Sequence, residues 1–250
     1  MDPDVHLAAP GRCPRCGMTL VLKVPERTEY PLQMEVAPKV IESGTEAILT
    51  FRVMNSDGKP ARSFELVHEK LMHLFLVSES LQFFAHLHPA LQADGSFKLS
   101  ARLPEPGMYR LLADYFPTGS VPQLALETLY VKGTPRPPHL IASGAPTHSL
   151  NLTASLRTDP PQPVAGLESR LLYGLDPVEG LEQYLGAWGH MLIASEDLVD
   201  LIHLHPFLAK EGTVQFNAIF PRSGNYKIWT QFQRKAVVNT VAFALSVTEL

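Results

Sequence analysis

Residues 73–89 of the chain read HLFLVSESLQFFAHLHP, and residues 190–206 read HMLIASEDLVDLIHLHP. The second stretch follows the first at a constant offset of 117 residues, and 14 of 44 positions are identical between 73–116 and 190–233. In each stretch, two short apolar runs flank a polar turn that begins with Ser-Glu, a pattern typical of a β-hairpin. The chain therefore carries a duplicated domain, and each copy contains this hairpin.

Short apolar runs separated by turn residues predict an all-β fold in both copies. The 22 prolines and 16 glycines are concentrated between these runs, which favours strands over helices. In the first copy we expect strands at 34–40, 47–54, 71–77, 83–88, 97–103, 108–115 and 124–131. In the second copy we expect them at 150–156, 169–173, 187–194, 201–205, 213–220, 225–232 and 238–247. This spacing predicts two tandem β-sandwiches of immunoglobulin-like or cupredoxin-like type.

The domain organisation follows from the repeat and from the composition of the segments around it. A chain of 250 residues has room for two ordinary domains. We assign 1–29 to an N-terminal segment with a linker and 30–133 to the first sandwich. Residues 134–147, rich in Pro, Gly and Ser, form a linker, and 148–250 form the second sandwich.

Composition and charge exclude several classes of function. The net charge is −4 and no Lys/Arg cluster exceeds a pair, which argues against nucleic acid or an anionic membrane as a partner. No apolar run reaches the roughly 18 residues of a membrane-spanning helix, and the first residues lack the pattern of a signal peptide. Neither a phosphate-binding glycine loop nor the geometry of an acyl-transfer triad is evident, so we expect no enzyme activity.

The hairpin pattern predicts where the histidines lie. If the turn is centred between residues 80 and 81, His73 lies directly opposite His88, and His86 shares their face because strand residues alternate. Three imidazoles then converge on one patch of the sheet, which is the ligand set of a Cu(II) or Zn(II) site with one position open. The equivalent predicted ligands of the second copy are His190, His203 and His205.

An alternative interpretation of the histidines stays open at this stage. Each imidazole could donate to a loop carbonyl and serve packing alone, since Phe75 and Phe84 share the predicted face. The whole chain would then be a structural or adhesive tandem β-sandwich. Met72 and Met191 are the candidates for a fourth ligand, although strand alternation points both away from the histidines.

Two further pairs of aromatic residues are expected to have structural roles. Tyr109 and Tyr226 follow turns at equivalent positions and are similar to the tyrosine that closes a corner of a sandwich. Trp188 and Trp229 have no counterpart in the first copy, and we expect both to pack in the core.

The two cysteines of the chain, Cys13 and Cys16, lie in the run PGRCPRCGM at residues 10–18. Their spacing is that of a zinc-knuckle turn, in which both sulfurs point at one ion. A thioredoxin-type redox role requires an α/β context that the sequence lacks. Met18 adds a thioether, which favours soft ions such as Cu(I).

This segment resembles the short heavy-metal-binding domain of bacterial metal-efflux and copper-handling proteins. That family reads Cys-Pro-Met-His-Pro, a spacer, then Pro-Gly-Lys-Cys-Pro-x-Cys-Gly-Met, and residues 10–18 match its second part closely. Residues 1–5 stand where Met-His-Pro-Glu-Val is expected, with Asp2 in place of the histidine and no cysteine upstream. The resemblance implies a metal site formed by Cys13, Cys16 and Met18.

The two hairpins also resemble tandem β-domains that follow heavy-metal-binding segments in bacterial secreted proteins, over residues 30–248. This resemblance implies a periplasmic or extracytoplasmic location, and a metal-efflux or copper-delivery protein as a possible partner. Together, the ligands and the resemblances predict a non-enzymatic protein that binds, buffers or relays a transition metal, with copper as the first candidate and zinc as the second.

Overall fold

A computed structural model of the chain describes residues 7, 9, 11–14, 20, 28–138, 140, 144–210 and 212–250. Within these ranges all regular secondary structure is β-strand, and no helix is long and apolar enough to cross a membrane. From residue 28 onward the chain forms two compact units that divide between residues 138 and 140. We call these units sandwich 1 and sandwich 2.

Sandwich 1 is built from nine strands in two sheets. The strands are β1 (Leu32–Ala37), β2 (Ile41–Glu42), β3 (Glu46–Val53), β4 (Met72–Ser78), β5 (Phe84–Leu87), β6 (Ala90–Leu91), β7 (Phe97–Arg102), β8 (Gly107–Tyr115) and β9 (Gln123–Lys132). One sheet has the order β1-β3-β7-β6 and the other has the order β2-β9-β8-β4-β5. The β2–β9 pair is parallel, whereas β4 pairs antiparallel with both β5 and β8. This is an immunoglobulin-like arrangement.

Sandwich 2 repeats this plan with longer strands on one side. The strands are β10 (Thr147–His148), β11 (Thr153–Asp159), β12 (Glu168–Asp176), β13 (Leu181–Glu182), β14 (His190–Ser195), β15 (Leu201–Leu204), β16 (Leu208–Lys210), β17 (Thr213–Ile219), β18 (Gly224–Arg234) and β19 (Val237–Val247). The first sheet has the order β10-β11-β12-β17-β16. In the second sheet β18 pairs with β19, β14 and β13, and β14 pairs with β15.

The core of each sandwich lies between its two sheets and takes alternate residues of the hairpin strands. Met72, Leu74 and Leu76 of β4 belong to the buried cluster of sandwich 1. Because neighbouring residues of a strand point to opposite faces, His73 lies on the face directed away from this core. In sandwich 2, Met191 and Ile193 of β14 enter the core, and His190 takes the opposite face.

The predicted all-β fold is confirmed, and each predicted strand has an observed counterpart whose ends differ by a few residues. The additional elements, such as β2 and β6, are only two residues long and too short for a pattern to reveal. Strand β10 begins at Thr147, the last residue of the predicted linker. The domain boundaries proposed from the sequence otherwise stay predictions.

The predicted tyrosine corners are present in both sandwiches. The hydroxyl of Tyr109 donates to the carbonyl of Glu105 at 3.0 Å, and that of Tyr226 donates to the carbonyl of Arg222 at 2.9 Å. The tryptophan prediction is half right, because only one of the two side chains is buried: Trp229 is 4% exposed, whereas Trp188 is 42% exposed. Residue 188 precedes β14 and therefore belongs to neither face of the sheet.

Candidate metal centre

The histidines are brought together by the register of the two hairpins. In sandwich 1, Phe75 lies opposite His86, and this register, continued beyond Leu74 and Leu87, sets His73 opposite His88. In sandwich 2, Leu192 lies opposite His203 in the same way. The predicted hairpin register is therefore confirmed in both copies. We call the cluster of His73, His86 and His88 site 1 and the cluster of His190, His203 and His205 site 2.

Site 1 is compact. Each of its three histidines offers one ring nitrogen, and these atoms all lie within 4.8 Å of one another. The closest pair is His73 Nδ1 and His86 Nε2, which are 2.9 Å apart. A tetrahedral ion with metal–nitrogen bonds of about 2.0–2.1 Å separates its ligand atoms by about 3.3 Å. Small side-chain movements would therefore bring these nitrogens to the spacing that such an ion requires.

Site 2 has the same three residues, and one of its three histidine pairs lies farther apart than in site 1. The ring centroids of His190 and His203 are 6.1 Å apart, against 5.1 Å for the equivalent pair in site 1. His205 lies 4.8 Å from His190 and 4.4 Å from His203 by the same measure. His190 is buried and the other two are half-buried.

A backbone carbonyl holds the first histidine of each site. Nε2 of His73 donates to the carbonyl of Val67 at 2.8 Å, and Nε2 of His190 donates to that of Tyr184 at 2.9 Å. A carbonyl only accepts, so the proton resides on Nε2 and the lone pair resides on Nδ1. Histidines that bind metals in proteins typically donate their other N–H to a carbonyl or carboxylate in this way. In site 1 this lone pair accepts from His86 Nε2 at 2.9 Å, so coordination through Nδ1 would replace that hydrogen bond.

These carbonyls come from two equivalent tight turns. Residues 67–70 and residues 184–187 each close with a pair of reciprocal backbone hydrogen bonds. The central residues take left-handed conformations, with φ of 45° at His68, 66° at Glu69 and 50° at Leu185. For a residue other than glycine this conformation costs roughly 1–2 kcal/mol. Both copies therefore tolerate local strain at the turn that orients the first histidine.

His88 supplies the observation that bears most directly on a bound ion. Its Nε2 is buried and makes no hydrogen bond with any residue in the described part of the chain. Burial, followed by the nearby His73 and Lys70, lowers the pKa of His88 to about 3. The ring is therefore neutral at pH 7, which is the form that coordinates a metal. The structural alternative, in which each imidazole donates to a carbonyl, does not account for this nitrogen.

Sequence reasoning missed one pair of residues next to the sites. Asp114 on β8 lies directly opposite His73, and Gln231 on β18 lies directly opposite His190. Directly paired residues share a face of the sheet, and both side chains are largely buried. The constant offset of 117 relates these two positions as well. A carboxylate therefore adjoins site 1, where site 2 has a neutral amide.

The remaining candidate ligands have different outcomes. Met72 and Met191 are buried in the cores of their sandwiches, away from the histidines, as strand alternation predicts. Cys13 is 4% exposed, and the nearby backbone N–H of Leu20 donates to the carbonyl of Gly11 at 2.9 Å. Cys16 and Met18 lie outside the described residues, so their part in a metal site stays a prediction.

Comparison with protein families identifies most of the chain. A family model described as a domain of unknown function, DUF8832, matches residues 26–132 and 150–249. The chain belongs to the DUF8832 family. A second model, a heavy metal binding domain, matches residues 1–23 of this DUF8832 protein, in agreement with the resemblance carried by PGRCPRCGM. None of the curated proteins matches the chain.

Several solved structures are distantly similar. The FdeC adhesin of Escherichia coli has 14% identity and a TM-score of 0.32, and the match covers 93% of this chain and 67% of that one. The Yersinia pseudotuberculosis adhesin InvE has 12% identity and a TM-score of 0.27, over 86% of this chain and 58% of that one. A two-domain fibronectin type III segment of chicken tenascin has 11% identity and a TM-score of 0.28, and the match covers 88% of this chain and 100% of that one. These similarities assign no activity or partner.

Proposed function

We propose that this DUF8832 protein binds a transition metal at sites 1 and 2 and at its N-terminal cysteines, and that it buffers or relays the ion without catalysing a reaction. The observation that carries the proposal is site 1. Nε2 of His73 donates to a carbonyl while its Nδ1 lies 2.9 Å from His86 Nε2, and His88 adds a buried nitrogen that lacks a hydrogen-bond partner among the described residues.

The chemistry of the ligands favours copper first and zinc second. Three neutral imidazoles suit Cu(II) and Zn(II), and divalent copper binds such sites more tightly than the other first-row ions. Cys13, Cys16 and Met18 provide soft sulfur ligands, which suit Cu(I). Zinc also binds both thiolates and imidazoles, so the preference for copper rests on the thioether of Met18 and on the higher affinity of Cu(II) for nitrogen ligands.

We also propose a periplasmic or extracytoplasmic location and exchange of the ion with a metal-efflux or copper-delivery protein. The heavy metal binding domain matched at residues 1–23 supports a role in metal handling. Exchange with a partner suits this ligand set, because imidazoles favour Cu(II) and thiolates favour Cu(I), so that the chain offers ligands to an ion delivered in either oxidation state.

Calorimetric titration of the purified chain with Cu(II) and Zn(II) tests the proposal. The cysteines are first replaced in a C13S/C16S chain, so that only the histidine sites remain. We expect binding tighter than about micromolar, which H73A/H86A/H88A and H190A/H203A/H205A each reduce by one site. H148A is the matched control, because His148 is exposed and belongs to neither site. An absence of uptake by the C13S/C16S chain would leave only a structural role for these histidines.

A further inference from the structure

The two sites differ in charge at one position, on the strand next to the first histidine. Asp114 on β8 lies directly opposite His73, and Gln231 on β18 lies directly opposite His190. Directly paired residues have Cβ atoms about 4.5–5.5 Å apart, so the short side chain of Asp114 keeps its carboxylate beside the His73 ring. The same histidine triad therefore occurs once with an adjacent carboxylate and once with an adjacent amide.

The carboxylate of Asp114 lies next to the ligands of site 1 without being part of their hydrogen bonds. Both ring nitrogens of His73 have partners, because Nε2 donates to the carbonyl of Val67 and Nδ1 accepts from His86 Nε2. The compact cluster of ligand atoms consists of the three histidines, and Asp114 is not among them. Asp114 is only 8% exposed, so water screens its charge weakly. Its effect on an ion in site 1 is therefore that of a nearby negative charge.

In site 2 the corresponding side chain is neutral and is held by a hydrogen bond. Nε2 of Gln231 donates to Oγ1 of Thr240 on β19 at 3.1 Å. An amide has no net charge, so it attracts a cation much less strongly than a carboxylate does. Glutamate at this position would have the same shape, and the hydroxyl of Thr240 could donate to its carboxylate.

We propose that Asp114 sets the metal selectivity of site 1, favouring the divalent ions Cu(II) and Zn(II) over monovalent Cu(I), whereas Gln231 gives site 2 no such preference. The inference rests on the proposed metal-binding function. The Coulomb energy between a carboxylate and an ion is proportional to the charge of the ion, so a divalent ion gains twice the free energy that a monovalent ion gains. Residues that support metal ligands typically change affinity by about 10–100-fold, and half of that free energy corresponds to about 3–10-fold.

Other neighbours of the two sites also differ, so the charge must be changed within one site at a time. In site 1 the Phe75 ring stacks on the second histidine with ring centroids 4.2 Å apart, and, in addition to burial, the charge of Lys70 lowers the pKa of the third histidine. In site 2 the ring centroid of Tyr184 lies 5.4 Å from that of the first histidine. D114N and Q231E leave all these neighbours in place, because each only exchanges a carboxylate and an amide of the same shape.

The test uses two full-length chains in the C13S/C16S background, each with one intact site. H190A/H203A/H205A retains site 1, and H73A/H86A/H88A retains site 2. Dissociation constants are measured by competition with a chelator for Zn(II), for Cu(II) and, under anaerobic reducing conditions, for Cu(I). In the chain that retains site 1, D114N is expected to weaken binding of both divalent ions by about 10–100-fold and binding of Cu(I) by only about 3–10-fold.

E127Q is the matched control, because Glu127 pairs with Leu111 of the core and therefore lies on the other face of the same sheet. It should leave all three dissociation constants unchanged. In the chain that retains site 2, Q231E is expected to tighten binding of Zn(II) and Cu(II) more than binding of Cu(I).

A structural role for Asp114 would not distinguish ions by charge. An equal loss of affinity for the three ions in D114N, or no loss, would therefore overturn the inference and leave the proposed function standing. If D114N does not fold, an equal change for the three ions in Q231E, or no change, would overturn it instead. If neither one-site chain binds any of the three ions, the proposed function itself fails.

Discussion

Replacing His88 with leucine tests whether His88 is a metal ligand or a packing residue. The buried Nε2 of His88 has no hydrogen-bond partner among the described residues, and such an atom costs about 1–3 kcal/mol of folding free energy. Leucine occupies a similar volume with no polar atom. Because the residue is half-buried, we take the lower end of this range and expect H88L to stabilise metal-free sandwich 1 by about 1 kcal/mol.

For a domain of about 100 residues, 1 kcal/mol corresponds to an increase of about 4–8 °C in the unfolding midpoint. The measurement is thermal unfolding at pH 7.5 with a chelator, where His88 is neutral because its pKa is about 3. With metal at about 100 times its dissociation constant, the wild-type chain should gain about 2.7 kcal/mol, and H88L should gain much less. The order of stability then reverses.

H88Q is the control, because glutamine keeps a polar group at the position and should give little or no stabilisation. The reasoning would be refuted by an H88L chain that is less stable than wild type without metal. That result would mean that the imidazole contributes to packing, as the structural alternative requires. Unchanged metal stabilisation in H88L would equally remove His88 from the set of ligands.

Three further predictions concern other parts of the chain. Asp114 lies opposite His73, so D114N, which removes the negative charge beside site 1, should weaken metal binding at that site, measured by titration. Lys235 and Ala236 both have positive φ in a two-residue hairpin, so K235N/A236G should raise the free energy of unfolding of sandwich 2, measured by chemical denaturation, by about 1–2 kcal/mol. Hydrogen bonds from Arg222 hold the pKa of Asp197 well below its usual range. The interaction of ionised Asp197 with Arg222 stabilises the fold above about pH 4, and this stabilisation is lost as the pH falls and the carboxylate is protonated. In an acid-unfolding series, the difference in free energy of unfolding between R222Q and the wild type should therefore shrink toward pH 2.

The hairpin was predictable because its residues obey a short-range rule. Strand alternation and a centred turn are local properties of the sequence, and they were enough to place His73 opposite His88. The turn itself was not fully predictable. It depends on Leu81 and Leu198, which are buried although they take left-handed conformations with φ of 58° and 55°. Leucine gives no turn signal in a sequence, because tertiary packing rather than local preference keeps it there.

The surroundings of the sites were not predictable, because they depend on strand order. Asp114 is 41 residues from His73 in the sequence and becomes its neighbour only because β8 pairs with β4. The stack of Phe75 on His86 was partly foreseeable, since alternation assigns Phe75 to the histidine face. The hydrogen bond from His73 to the carbonyl of Val67 could not be predicted, because it depends on the fold of the 67–70 turn.

If the proposed function holds, the position of the sites on the outer faces of their sheets would separate metal binding from folding. The core of sandwich 1 is formed by residues such as Leu74 and Leu76, which alternate with His73 along β4 but point the other way. A small metal domain such as a zinc finger has too little core to fold without its ion. Here each sandwich has an apolar core of its own, so the histidines can be held ready in the metal-free protein. An ion can then be released without loss of the fold, which is the property that a buffer or relay requires.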